Sequence, residues 1–172
     1  MQAHTQARDH APIVSVCGRS RVGKTTFLVK LIRELTARGY SIGVIKHSVH
    51  PFVASEPGRD TWKHSQAGAQ AVAFASDSEL HISRQLDSEM DVDDIARMLG
   101  DVDLVLTEGY KGAHKPKIEI SRAARGIELV CRTQEIIAVV SDHPVDLNVP
   151  IFDLDDANGV ATLLAERFLS EP

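Results

Sequence analysis

Apolar and polar positions along the chain follow two periods, and the switches between them mark out the elements. Pro12-Ile13-Val14-Ser15-Val16-Cys17 is a β-rich apolar run. After a glycine-bearing octet, Phe27, Leu28, Leu31, Ile32 and Leu35 recur at helical spacing. They predict a helix from about Lys24 to Arg38, with Gly39 as its C-terminal cap. Ser41–Lys46 reads as a second strand. Strand, helix and strand in this order make a βαβ unit, hence a parallel pair with a right-handed crossover.

The stretch from His47 to Asp60 holds Pro51, Pro57 and Gly58 and reads as a long loop leaving the carboxyl end of the second strand. Loops of this length in compact domains are functional or disordered. Thr61 to Gly68 is a short helix with Asp60 at its N-cap. Gln70–Ala75 is a third strand, and Glu79–Ser83 alternates after a turn at Asp77-Ser78, as in a hairpin. Asp91–Leu99 is an amphipathic helix with Val92, Ile95, Ala96 and Leu99 inward. Val102–Gly109 is a buried-type strand ending in Glu108. Ile118–Ser121 and Glu128–Cys131 read as two short strands joined through Arg125-Gly126, Ile136–Val140 as a fully buried one and Pro150–Asp153 as a shorter one. Asp155–Leu169 closes the chain as a helix with Val160, Leu163, Leu164 and Phe168 on one side. The fold class expected is α/β: a mostly parallel sheet of the phosphate-loop NTPase type, flanked by helices, with a short β-hairpin extension.

With 172 residues, one nucleotide-binding domain over 12–172 is expected, behind a polar, disordered tail at 1–11. The tail lacks the apolar centre of a signal peptide, and no run is long enough to span a membrane, so a cytoplasmic protein is expected. Cys17 and Cys131 both sit beside strand-like runs and read as buried free thiols. The net charge is −5, which argues against bulk nucleic-acid binding. Between 87 and 103 seven acidic residues stand against one base, Arg97. That run is either a solvated face or a docking patch for a basic partner.

The octet is Gly18-Arg19-Ser20-Arg21-Val22-Gly23-Lys24-Thr25. It fits G-x-x-x-x-G-K-[ST] and lies between a strand and a helix, as a phosphate loop does. Such a loop turns backbone N–H groups inward as an anion nest at a helix N-terminus. Gly18 and Gly23 allow the backbone angles, Lys24 brings positive charge to the terminal phosphates, and Thr25 offers its hydroxyl to Mg²⁺. The nucleotide-binding set is therefore Gly18 through Thr26, with Lys24 catalytic.

A phosphate-loop protein needs a second acid near Mg²⁺. Asp103 and Glu108 lie on one predicted strand, about 16 Å apart at ~3.3 Å per residue. Only the one at the carboxyl edge reaches the metal, so Glu108 is the candidate for metal binding and catalysis, and Asp103 is structural. Lys46 and His47 end the second strand on that same edge and are candidate nucleotide contacts. Asp60 is either a metal carboxylate or an N-cap. His47, His50 and His64 span a flexible loop without cysteines, which disfavours a zinc trio. Lys111, His114, Lys115 and Lys117 either contact phosphate or form a solvated loop. The guanine-reading pattern [NT]-K-x-D is absent. Asp142, after the buried strand, either accepts from the two N–H donors on one edge of guanine or forms a turn before His143-Pro144.

Taken in order, the octet, Ile45-Lys46-His47, Pro57-Gly58-Arg59-Asp60, Ala67-Gly68-Ala69, Leu104 to Lys111, Pro116-Lys117-Ile118-Glu119 and Ala138 to Asp142 resemble the molybdopterin-guanine dinucleotide biosynthesis protein B family. The resemblance covers roughly residues 12–170. It implies a GTP- and Mg²⁺-dependent protein with weak GTPase activity, usually a homodimer, that assists the nucleotidyltransferase converting molybdopterin to molybdopterin guanine dinucleotide. It also implies a fold shared with dethiobiotin synthetase, where a strand-end Glu-Gly pair sits by the metal. An ATP-dependent small-molecule kinase or ligase of that group is the alternative. No arginine finger or positioning glutamine is identifiable, so hydrolysis is expected to be slow. One departure stands out: family members often carry Gly where Arg21 stands, and a Cβ there restricts the loop. The exposed edge of the short strands at 118–131 is the expected dimer surface.

Overall fold

In a computed structural model of the protein, the described residues are 10–48 and 58–169. Residues 1–9 of the expected tail, and 49–57 of the long loop with His50, lie outside them. The chain divides into two compact units. One holds the described residues up to His47 and from Val92 onward, and the other those between.

The first unit is built on a six-stranded sheet. Its strands are β1 (Ile13–Gly18), β2 (Ile42–Lys46), β5 (Leu104–Glu108), β6 (Lys117–Ser121), β7 (Ile136–Ser141) and β8 (Ile151–Phe152). The order is β2-β5-β1-β6-β7-β8, and every neighbouring pair is parallel. β1 is therefore central, and the loop at its carboxyl end emerges between the ends of β5 and β6. Ligands of open α/β sheets bind along that edge.

Strand alternation separates two faces. Val14 and Val16 of β1, Leu104 and Leu106 of β5, Ile118 and Ile120 of β6, and Ala138 and Val140 of β7 join one core cluster. Helices α1 (Lys24–Ala37) and α4 (Ala157–Phe168) cover it with Phe27, Leu28, Leu31, Leu35, Val160 and Leu164. α1 ends as its sequence predicts: Gly39 has φ 94°, its N–H bonds the Thr36 carbonyl, and the Tyr40 N–H bonds Leu35. α4 starts on Asp156, whose carboxylate accepts from the Gly159 N–H at 2.8 Å. On the other face, Ile13, Ile45 and Val105 pack with Val92 and Ala96 of α3 (Val92–Met98).

That second face is also polar. Ser15, Thr107, Lys117, Glu119 and Ser121 are all buried. Each finds a hydrogen-bond partner, as burial demands. Thr107 donates to Ser15 at 2.9 Å. The Glu119 carboxylate accepts from the Val130 and Cys131 N–H groups at 2.6 and 3.0 Å. The Lys117 ammonium donates to the Ala113 and Lys115 carbonyls and to Glu135. The bonds of Glu119 and of Lys117 to Glu135 tie the irregular β6–β7 connection to the sheet.

The connection corrects the expected strand at Glu128–Cys131. The segment has no ladder: 3₁₀ turns at Ala123–Arg125 and Thr133–Glu135 flank it, and the N–H groups of Val130 and Cys131 go to Glu119 instead. β6 itself is the inner partner of β1 and β7, so 118–121 offers no free edge for a dimer. Asp103 has the structural role expected of it. Its carboxylate takes the Ser41 N–H at 2.7 Å and the Ser41 hydroxyl at 2.8 Å, and these bonds hold it below the usual carboxylate range.

The second unit holds α2 (Asp60–Gln66) and the hairpin β3 (Ala71–Ala75) with β4 (Leu80–Arg84), paired antiparallel. The turn falls where Asp77-Ser78 predicts it; the Ser76 hydroxyl accepts the Ser78 and Glu79 N–H groups. Arg59, not Asp60, occupies the N-cap of α2; Asp60 is its first helical residue. Among the described residues, no helix is long and apolar enough to cross a membrane.

Candidate functional site

The loop's shape follows from its neighbours. Gly18 pairs with Ile120 across the β1–β6 ladder and has φ 137°. A Cβ at Gly18 would lie 2.3 Å from the Ile120 carbonyl oxygen, so no other residue fits. Val22 is buried in the core beside α1 and anchors the loop's far side. Gly23, at φ 102°, precedes the first helical residue, Lys24. Between the anchors Arg21 takes φ 58°, left-handed without being glycine. The restriction expected at Arg21 is thus real, and its side chain is exposed.

Lys24 folds back over the loop. Its ammonium donates to the Gly18 and Arg19 carbonyls at 3.1 and 2.8 Å. Arg19 reaches away from the loop to Glu128, donating to its carboxylate at 3.2 Å and to its carbonyl at 3.4 Å. Ser20, Thr25 and Thr26 are exposed.

The loop and the end of β5 meet. The Thr25 hydroxyl donates to the Glu108 carboxylate at 2.8 Å. The other Glu108 oxygen lies 3.4 Å from the Lys46 ammonium. The ladder explains this meeting, since Lys46 is the register partner of Glu108 and Val16 pairs with Glu108 from the other side. His47 continues the same edge. Its N–H bonds the Glu108 carbonyl at 3.0 Å, and its ring lies 4.6 Å from that of Tyr110. Gly109, at φ 102°, lets the chain pass His47, and Tyr110 follows at φ 51°. Lys24, Thr25, Lys46, His47 and Glu108, all sequence candidates, thus stand together at one edge.

A hydroxyl in contact with a carboxylate is a hard-oxygen pair suited to Mg²⁺, which keeps several waters and completes its shell with phosphate oxygens. Among the described residues no group of three or more His, Cys, Asp and Glu side chains could hold a metal by itself. The donor set here fits a metal brought in with phosphate.

The remaining candidates divide. Asp142 lies at the carboxyl end of β7, exposed, with one oxygen accepting the Ala123 N–H at 2.8 Å. Asp60 and His64 belong to the second unit, where the Asp60 carboxylate pairs with Lys63 at 3.0 Å. The basic loop after β5 is largely engaged. Lys117 is buried on Glu135, Lys115 pairs with Asp93 at 2.5 Å, and His114 bonds Glu135 at 2.8 Å. Lys115 and Lys117 serve the fold, whereas Lys111 and His114 stay exposed. Part of the acidic run is engaged too: Asp93 also meets His10 at 2.9 Å, and Asp94 meets Arg97 at 2.5 Å.

Cys17 and Cys131 are free thiols. Cys17 donates to the Gly109 carbonyl at 3.1 Å. The Cys131 thiol comes first in holding Cys17 below an ordinary thiol, and Cys17 and burial push Cys131 above it. Sequence reasoning did not single out Arg122, the residue after β6, whose guanidinium lies against Gly23. Its signal was positional: it follows the strand that pairs with the loop-bearing strand.

Known proteins share this chain's sequence and fold. The family model for molybdopterin guanine dinucleotide synthesis protein B matches residues 13–142. A molybdopterin-guanine dinucleotide biosynthesis adapter protein from Escherichia coli K12 is 35% identical over 162 residues, covering 90% of this chain and 92% of that protein. Its counterpart from Haemophilus influenzae is 32% identical over 155 residues, covering 89% and 87%. A crystal structure of molybdopterin-guanine biosynthesis protein B superposes with a TM-score of 0.69 at 30% identity, covering 90% of this chain and 98% of that one. The Bacillus subtilis MobB structure has a TM-score of 0.72, covers 93% and 99%, and at 24% identity speaks for the fold. A phosphate-loop fold, a strand-end glutamate on the loop threonine and these matches lead to one assignment: the chain belongs to the MobB family of molybdopterin-guanine dinucleotide synthesis proteins.

Proposed function

We propose that the protein binds GTP with Mg²⁺ at its phosphate loop and serves as an accessory in converting molybdopterin to molybdopterin guanine dinucleotide. The observation that carries this reading is the 2.8 Å contact between Thr25 and Glu108, one residue from Lys24. Residues Gly18 to Thr26 enclose the phosphates with backbone N–H groups at the positive end of α1. Lys24 exchanges its loop carbonyls for phosphate oxygens. Thr25 and Glu108 hold the cation, and Lys46 keeps the Glu108 carboxylate oriented. Bound Mg²⁺ supplies charge neutralisation to the phosphate oxygens. Asp142 is the candidate reader of the guanine edge, with the carboxylate oxygen that Ala123 does not use.

Turnover by the protein alone is slow in this reading, because no group is assigned to orient an attacking water. The relatives named adapter proteins support an accessory role beside a nucleotidyltransferase. A cytoplasmic homodimer belongs to the same proposal.

The test is reconstitution: formation of molybdopterin guanine dinucleotide by the nucleotidyltransferase, with GTP and Mg²⁺, with and without this protein. The reading expects stimulation by the wild type and none by Lys24→Ala. Equal stimulation by both would refute a role for the loop. Rapid ATP turnover by this protein alone would favour a kinase or ligase instead.

A further inference from the structure

Arg122 has no role in the site as built so far, yet its surroundings are unusual. It follows β6, the strand that pairs with β1, and lies two residues beyond Ile120, the partner of Gly18. This register places it beside the loop at the carboxyl edge. Its guanidinium crosses to the start of α1. For a Cβ built on Gly23, the three nearest heavy atoms would all be Arg122's: Nη2 at 3.5 Å, Nε at 3.7 Å and Cζ at 3.9 Å.

Two features make this position costly as it stands. The Nε is buried with no hydrogen-bond partner among the described residues. A buried donor left without an acceptor forfeits its hydration for nothing in return. The charge is also misplaced, since a helix N-terminus carries positive partial charge and favours anions, not cations. Lys24 already brings one cation there. The carboxylate that senses Arg122 is Asp155, but it is exposed and bonded to Lys30 at 2.5 Å; Lys30 first and Arg122 last hold it below the usual range. No ion pair joins Asp155 to Arg122 among the described residues.

One ligand chemistry resolves both features: an anion at the start of α1 supplies the missing acceptor and reverses the sign of the electrostatics. We propose that Arg122 is a phosphate-contact residue of the nucleotide site, its guanidinium closing on the nucleotide's phosphate chain from the β6 side, opposite Lys46 and Glu108 on the β5 side. This inference rests on the phosphate-loop reading. It adds a second fixed cation, supplied by the neighbouring strand, to the loop's own lysine. Arginine suits the place, because its planar fork can bond two phosphate oxygens at once.

The test compares Arg122→Gln, Arg122→Lys and Lys24→Ala by calorimetric titration with GTP, GDP and guanosine in Mg²⁺, alongside thermal melts without ligand. Arg122→Gln is expected to weaken GTP and GDP about tenfold or more, to leave guanosine unchanged, and to melt no lower than wild type without ligand. Arg122→Lys should recover part of the affinity. Loss of affinity in Lys24→Ala but not in Arg122→Gln would overturn the Arg122 assignment alone. No loss in either would overturn the loop reading beneath it. A lower melting temperature in Arg122→Gln with unchanged GTP and GDP affinity would make Arg122 structural and also refute the proposal. Should Arg122→Gln not fold, Arg122→Lys decides: affinity for GTP equal to wild type contradicts bidentate phosphate contact.

Discussion

The Thr25 hydroxyl and the Glu108 carboxylate meet at 2.8 Å although 83 positions separate them in the chain. Parallel register makes the meeting possible. β5 pairs with β1 and ends in Glu108 just where the loop leaves the sheet. If the pair holds Mg²⁺, Glu108→Gln and Thr25→Ala should each weaken GTP binding in Mg²⁺ by about tenfold or more, with a far smaller change in chelator. Equal losses in Mg²⁺ and in chelator would mean that the pair shapes the loop without touching a cation. Glu108→Gln should barely alter stability, because its partner Lys46 is an exposed cation at 3.4 Å.

Arg21 carries the loop's clearest backbone strain, a left-handed φ of 58°. Glycine adopts this conformation freely, at the expense of a more disordered unfolded chain. Arg21→Gly is therefore expected to change stability by less than about 1 kcal/mol in denaturant titration. Its GTP affinity should equal or exceed that of the wild type. A tenfold loss would instead reveal that the Arg21 side chain reaches a phosphate.

Lys117 is fully buried on Glu135 and two backbone carbonyls. Glu135 is only partly buried and keeps its bond to His114, so what Lys117→Met strands is the two carbonyls, and the variant should lose about 1–3 kcal/mol in chemical denaturation. The Lys117 bond comes first, and that of His114 second, in holding Glu135 below the usual carboxylate range. In the variant the Glu135 carboxyl should titrate closer to its ordinary value, as NMR can follow. An unchanged melting curve would show that the ion pair is dispensable.

Asp103 ties the start of β5 to Ser41, before β2. Its folded pKa is depressed, so its stabilisation is complete above the unfolded value near 4 and fades as pH falls through the folded value. Asp103→Ala should therefore cost up to about 1 kcal/mol at neutral pH, limited by exposure. The two proteins should converge in stability once the pH has fallen below that folded value. A deficit that persists at low pH would point to lost packing rather than the charged bonds to Ser41.

What was legible in the sequence follows physical lines. α1, β1, β5 and β7 carry strong periodicity or unbroken apolar runs, and their place in the fold follows from that. Distance along β5 separates Glu108 from Asp103, and the structure gives each its expected place. The β6–β7 connection is where periodicity misleads. Leu129, Val130 and Cys131 look like a strand, but the amides of Val130 and Cys131 are captured by Glu119, a buried carboxylate whose destination no local pattern predicts. The lysines after Glu108 mislead similarly. Lys115 and Lys117 read either as phosphate contacts or as a solvated loop, until Asp93 and Glu135, distant in sequence, are seen beside them. Arg122 was invisible because its meaning depends on which strand lies next to β1.

The central claim is that the loop binds a guanine nucleotide with Mg²⁺ through Lys24, Thr25 and Glu108. Calorimetric titration of the wild-type protein with GTP and with ATP, each in Mg²⁺, tests it most directly. Saturable GTP binding that is tighter than ATP binding and is lost in Lys24→Ala is the predicted result. Binding of ATP as tight as GTP, or GTP binding unchanged in Lys24→Ala, would contradict it.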